Sequence, residues 1–237
     1  MLIFLRRFCL AAIALSATCS TAYAATANPV LLNKLSHAAP ELNPQALKSA
    51  LSAMQCAVNN GAKQARHLAV IDYSEPSTAR RLWIFDLNRK TLVLRDLVAH
   101  GKESGENFAT SFSNTEGSNQ SSLGLFSTQE SYVGSHGYSL RMEGLEPGFN
   151  DNAFERAIVI HGAPYVSPVL ARANGRIGRS LGCPAVRPEI AHRLIDSMKD
   201  GQLLFSFYPD QRWLKSSSYI NCGSGTVASS EQATKRQ

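Results

Sequence analysis

From about His67 to Tyr208 the chain breaks into short runs of β-branched and aromatic residues, separated by turn-forming clusters, and this rhythm restricts the fold more than any other feature. Residues 68–73, 81–87 and 91–98 read as strands, with Asn88-Arg89-Lys90 as the turn joining the last two. Residues 157–160 read as a buried strand that ends at His161, and 203–208 as a final strand. Residues 101–152 are rich in Gly, Ser and Asn and too long for a bare connector, so we expect function or short strands there. Two helices frame the strands. Asn43 and Pro44 begin the first, Leu47, Leu51, Met54 and Val58 give it one apolar face, and Asn60-Gly61 ends it. The second runs over 188–198, with Ile190, Leu194, Ile195 and Met198 facing inward. Mostly strands with one early and one late helix predicts a mainly β domain, a sandwich or barrel, rather than a parallel α/β sheet.

The first 24 residues carry an export signature. Arg6 and Arg7 precede an apolar run, and Ala22-Tyr23-Ala24 supplies small residues at the cleavage site. The run is about ten residues, half of the roughly 20 that a bilayer span needs. The reading divides the chain into a signal peptide (1–24), a linker and helix (25–64), a catalytic domain (65–215) and a polar tail (216–237). Cleavage after Ala24 removes two arginines and no acid, taking the formal net charge from +6 to +4. A modest positive field suits an acidic polymer such as cell wall. No basic run with interleaved aromatics argues for nucleic acid.

Export also sorts the cysteines. Cys9 and Cys19 leave with the signal, so Cys56, Cys183 and Cys222 face an oxidising compartment. One bridge and one free thiol is the simplest partition. Cys56 and Cys222 flank the main body and Cys183 lies in a glycine-flanked loop, so a Cys56–Cys222 disulfide is expected, with three unpaired thiols as the alternative.

The chemistry concentrates in Ile160-His161-Gly162 and in Gly178-Arg179-Ser180-Leu181-Gly182-Cys183-Pro184. A thiol attacks only as thiolate and needs a base or positive neighbours. His161 at a strand end can be that base, and Arg179 and Arg187 can supply positive potential. Gly182 lets the backbone turn so that N–H groups can face a reacting carbonyl oxygen. Three rivals share these residues. Gly178-x-Ser180-x-Gly182 matches a serine nucleophile elbow, but Pro184 interrupts the helix that motif requires, and we read Ser180 as shaping the loop. His100, His136, His161 and Cys183 could be a zinc set, but they contain no short ligand pair. A non-catalytic binding domain with Cys183 as a structural thiol is the third.

These motifs resemble the L,D-transpeptidase (YkuD-like) catalytic domain, in which a strand-end His-Gly precedes a Ser-His-Gly-Cys loop. Ile177-Gly178 and Ser122-Leu123-Gly124-Leu125-Phe126 add to the likeness. Ile71-Asp72-Tyr73, Ala99-His100-Gly101, Phe112-Ser113-Asn114, His136-Gly137-Tyr138-Ser139-Leu140 and Gly178-Arg179-Ser180 resemble the exported Gram-negative branch. The likeness spans roughly residues 65–210. Leu181 stands where the wider family has its second histidine, and Pro184-Ala185 displaces the arginine that follows the cysteine. The resemblance implies a two-step acyl transfer on peptidoglycan stem peptides through a Cys183 thioester, with His161 as base and backbone N–H groups at Gly182 and Cys183 holding the oxyanion. Ser180 and Gly162 would shape the loop, and Arg187, Arg179, Gly124 and His136 would meet substrate. It implies no metal and no cofactor. An amine acceptor makes a transpeptidase and water a carboxypeptidase. We expect a periplasmic monomer with no membrane span after signal cleavage.

Overall fold

The computed structural model describes residues 27–222. The expected signal peptide and the tail beyond Cys222 lie outside them. Asn28 opens helix α1 (Pro29–Ala38), its side-chain oxygen accepting from Val30 N at 3.0 Å and Leu31 N at 3.2 Å. This helix was not expected, because residues 25–43 look loose on composition. Asn28-Pro29 is nonetheless a start signal, and Leu31, Leu32 and Leu35 share a face that packs on the core. Helix α2 (Pro44–Asn59) begins at Asn43, as its sequence predicts.

Eight strands follow: β1 (His67–Asp72), β2 (Leu82–Asp86), β3 (Thr91–Asp96), β4 (Gly124–Gly134), β5 (Gly137–Gly144), β6 (Val159–Gly162), β7 (Ala185–Val186) and β8 (Leu203–Phe207). They form one sheet in the order β3-β2-β1-β8-β4-β5-β6-β7. Pairing is antiparallel except for β1–β8 and β6–β7. Val98, just beyond β3, bridges to Val186 of β7, and Ala99 N–H donates to Ala185 O at 2.8 Å. The sheet therefore nearly closes on itself. This is the mainly β, barrel-like architecture expected.

Three further helices complete the chain: α3 (Pro168–Asn174), α4 (Pro188–Met198) and α5 (Gln211–Ser216). Helix α4 packs into the mouth of the barrel, where Leu194 and Met198 meet Ile160, Val186 and Leu204. A Cβ on Gly162 would lie 3.0 Å from the Ala191 Cβ, so this glycine lets α4 sit close on β6.

The polar stretch 101–152 holds more structure than its composition suggests. It contains the long β4–β5 hairpin, whose alternating Ser, Gln and Glu face outward while Leu140 and Met142 face the core. Likewise, the chain after Ser216 does not immediately become a loose tail. Buried Glu146 accepts from Leu125 N at 2.9 Å, Trp213 Nε1 at 3.0 Å and Ser217 Oγ at 2.6 Å, fastening α5 and Ser217 to the hairpin. Cys56 and Cys222 form the expected disulfide, joining α2 to the C-terminal segment across 166 residues of sequence. Cys183 is the free cysteine among the described residues.

Candidate active site

Strand register sets the geometry. Ile160 and Leu140 pair and point into the core, so their neighbours point out. Val159 and His161 therefore share the outer face of β6, opposite Arg141 and Ser139 of β5. His161 pairs with Ala185 of β7, and Cys183 lies two residues before Ala185. The thiol accordingly sits beside Val159: its sulfur accepts from Val159 N at 3.4 Å and donates toward Ala157 O at 3.8 Å. His161 is two residues further along the strand, roughly 7 Å.

Ala157 has φ +52°, unusual for a residue with a Cβ. That left-handed turn brings its carbonyl and the following strand to the sulfur.

The cysteine loop is braced by its own side chains. Ser180 Oγ donates to Cys183 O at 2.6 Å and accepts from Gly182 N at 3.1 Å. Ser121 Oγ donates to Gly182 O at 3.2 Å. Gly182 has φ +127°, and a Cβ there would lie 2.9 Å from Gln120 O. Ser180 thus shapes the loop, as its sequence setting suggests, and strand β7 rather than a helix follows it. The serine-elbow reading fails on that context. The Gly182 N–H, expected to serve an oxyanion, is already given to Ser180 in this state.

Cys183 is largely enclosed, and burial pushes its thiol above the ordinary range. The Val159 N–H and the Arg156 guanidinium act in the opposite direction, favouring thiolate. Arg156 was passed over in the sequence. Its Nη1 donates to Ser113 O at 2.7 Å and to Ser122 Oγ at 2.5 Å. Its Nη2 donates to Gln120 O at 2.7 Å and Ser118 Oγ at 3.2 Å. One arginine therefore ties the 113–122 segment beside the cysteine loop and brings positive charge to the sulfur. Its one sequence signal is its place immediately before the strand that carries His161.

The other two arginines are engaged elsewhere. Arg179 Nη1 holds Lys102 O and Gly105 O, each at 3.0 Å, and Glu106 at 2.8 Å. Arg187 forms a two-pronged pair with Asp96, Nε to Oδ1 at 2.8 Å and Nη2 to Oδ2 at 2.6 Å. The sequence assigned them positive potential at the thiol, and Arg156 supplies it instead. Gly124 also has a structural explanation: a Cβ there would lie 2.6 Å from Glu146 Oε1, so it makes room for the buried carboxylate.

The histidines divide sharply. His161 Nδ1 lies 3.0 Å from Gly162 O, so this nitrogen must donate. Nε2 is then the unprotonated acceptor, and no described residue occupies it. His136, at the tip of the β4–β5 hairpin, stacks on the His161 ring at a centroid distance of 4.4 Å. Burial lowers the His161 pKa; its Gly162 bond raises it and the His136 charge lowers it further. His100 is fully buried behind the loop. Its Nδ1 accepts from Arg81 at 2.6 Å and its Nε2 donates to Gly105 O at 3.2 Å. A guanidinium at that distance leaves a cation no place on Nδ1, which removes His100 from the zinc reading.

A free cysteine in a glycine turn and an imidazole with an open Nε2, on one face of a nearly closed β-barrel, define a thiol–imidazole site. The family model described as "L,D-transpeptidase catalytic domain" matches residues 38–207, and the chain belongs to that family. The protein is similar in structure to an L,D-transpeptidase from Mycobacterium smegmatis, at 13% identity over 61% of this chain and 59% of that one, with a TM-score of 0.38. It is similar to the L,D-transpeptidase LdtMt1 solved with imipenem, at 14% identity over 60% and 59%, TM-score 0.36. It is also similar to the helical cell shape determining protein Pgp2 from Campylobacter jejuni, at 13% identity over 68% and 57%, TM-score 0.39. The chain spans less than two thirds of the length of each of these structures. No curated protein matches it in sequence.

Proposed function

We propose that the protein is an exported cysteine acyltransferase acting on peptidoglycan stem peptides. The observation that carries this reading is the open Nε2 of His161 on the same sheet face as the unpaired Cys183. Family membership supports the substrate class. The disulfide fits an oxidising compartment, and among the described residues no helix is long and apolar enough to cross a membrane. In this reading residues 1–24 are removed on export and 65–215 form the catalytic unit, braced by the helical segment before it.

The enclosed thiol is mostly protonated at rest, so proton removal must accompany attack. Cys183 gives its proton to His161 Nε2, and the sulfur adds to the carbonyl at the L-centre of the third stem residue. Substrate closes the gap between thiol and imidazole, as catalytic hydrogen bonds tighten in the bound complex. The Cys183 N–H faces the developing oxyanion. The carbon–nitrogen bond to D-Ala breaks, His161 returns the proton to the departing amine, and a thioester remains. An acceptor amine then attacks, passing its proton to His161 as the new amide forms and sulfur leaves. Water in place of the amine gives the carboxypeptidase outcome. Arg156 acts throughout by favouring negative charge on sulfur.

The test is incubation of tetrapeptide muropeptides with the mature protein and with Cys183→Ala. Release of D-Ala, or L-centre to D-centre cross-links, that depends on Cys183 is expected. Absence of both from the unaltered protein would favour a non-catalytic binding domain.

A further inference from the structure

The turn that follows β6 brings a phenol to the cysteine loop. Val166 N–H donates to Ala163 O at 3.0 Å, closing a β-turn with Pro164 and Tyr165 at its corner. Gly178 N–H, at the start of the cysteine loop, donates to Tyr165 O at 2.8 Å. The Tyr165 side chain lies hard against that loop. A Cβ on Gly178 would stand 2.4 Å from the Tyr165 Cβ and 2.7 Å from its Cγ, so only glycine lets the two segments meet. Tyr165 also packs on a small apolar cluster, separate from the main core, that includes Ala99, Ala163, Ile177 and Ala185. Ala185 pairs with His161 and stands two residues after Cys183. The cluster that carries the phenol therefore adjoins both.

The hydroxyl is a donor without an acceptor. Tyr165 is half-buried, and no described residue hydrogen-bonds to its hydroxyl. Burial pushes its pKa up to about 12, and the negative charge of a Cys183 thiolate pushes the same way. The phenol thus stays protonated wherever the thiol reacts. It feels the sulfur without bonding to it, which leaves room for a substrate atom between them. Tyr73 differs. Burial raises its pKa and Cys183 adds to the rise, but it is fully buried and Ser121 and Ser206 hold its hydroxyl. Other donors around the sulfur are also spent. Gly182 N–H goes to Ser180 Oγ at 3.1 Å, and Val159 N–H goes to the sulfur itself. Arg156 holds the 113–122 segment. A tetrahedral adduct on Cys183 would meet the Cys183 N–H and lack the second donor that an oxyanion hole ordinarily supplies.

We infer that the Tyr165 hydroxyl donates a hydrogen bond to the oxyanion that forms when Cys183 attacks, as the partner of the Cys183 N–H. The inference rests on the function proposed above. The proton stays on the phenol throughout. Its hydrogen bond strengthens as the carbonyl oxygen gains charge and weakens when the carbonyl reforms, so it lowers the barriers to thioester formation and thioester release. The contact with Gly178 ties the donor to the loop that carries the nucleophile, so the two are positioned together before substrate arrives.

Tyr165→Phe keeps the ring on Gly178 and removes only the hydroxyl. The unaltered protein and this variant are compared in D-Ala release from a tetrapeptide muropeptide. They are compared again in alkylation of Cys183 by iodoacetamide, a displacement at a saturated carbon that forms no oxyanion. The variant should lose kcat roughly 100-fold, keep KM within about threefold, and alkylate at the unaltered rate. Equal kcat in the two proteins would overturn the assignment. So would a loss confined to KM, which would make Tyr165 a substrate-binding group only. Alkylation slowed in proportion to kcat would also overturn it, by making the phenol a group that tunes the thiol. No turnover by the unaltered protein, with alkylation normal, would overturn the underlying function and this assignment with it.

Discussion

His100 and His161 each precede a glycine, each is buried, and in each burial holds the imidazole neutral. Their surroundings separate them. Arg81 and Gly105 take both ring nitrogens of His100, and burial beside the Arg81 charge drives its pKa down to about 4. Gly162 takes one nitrogen of His161, while His136 covers the face of the ring and leaves Nε2 open. A buried histidine is structural when its second nitrogen is spent and chemical when it is spare.

The comparison breaks first at His161. Replacing it with alanine should cut kcat for D-Ala release about 10³-fold, the usual contribution of a positioned base. His100→Gln should change kcat at pH 7 by less than about tenfold. A similar loss in both variants would end the distinction. In the unaltered protein the acid limb of kcat/KM should fall below the ordinary imidazole value near 6.5, because burial lowers the His161 pKa.

The second difference lies in stability. Folded His100 binds its proton less readily, with a pKa of about 4 against 6.5 for the free side chain. Its neutral form therefore stabilises the fold fully above pH 6.5, and that contribution is lost as pH falls toward 4. The integrated effect is roughly 3 kcal/mol. Urea unfolding at pH 7 and pH 4.5 should show the gap between the unaltered protein and His100→Gln narrowing by about that amount. A gap that widens on acidification would reverse the sign of the argument.

The smallest effect concerns Arg156. Arg156→Met removes the positive charge beside the thiol and should move the alkylation midpoint of Cys183 up and slow alkylation at pH 7. Arg156→Lys should restore most of the rate. A midpoint unchanged in Arg156→Met would leave Arg156 as a tether of the 113–122 segment only.

Much of this was legible in the sequence where a local signal coincides with the tertiary role. Pro188 and the inward Leu194, Ile195 and Met198 delimit α4 at the residues where it runs. Cys183 stands out because its loop needs Gly182 and because Cys56 and Cys222 pair. The β4–β5 hairpin was under-read because its outward residues are polar and its buried partners few. Arg156 was missed because its acceptors, at Ser113, Gln120 and Ser122, lie more than 30 residues away and meet it only once the barrel closes. Arg179 and Arg187 drew attention by standing near Cys183 in sequence, yet their partners are Glu106 and Asp96.

Cys183 is the proposed nucleophile and His161 its proposed base. Intact-mass spectrometry after incubation with a carbapenem tests this assignment most directly, since ring opening by a thiolate adds the whole drug as one thioester. A single adduct is expected on the unaltered protein, none on Cys183→Ala, and a much slower one on His161→Ala. An adduct of unchanged mass and rate on Cys183→Ala would contradict it.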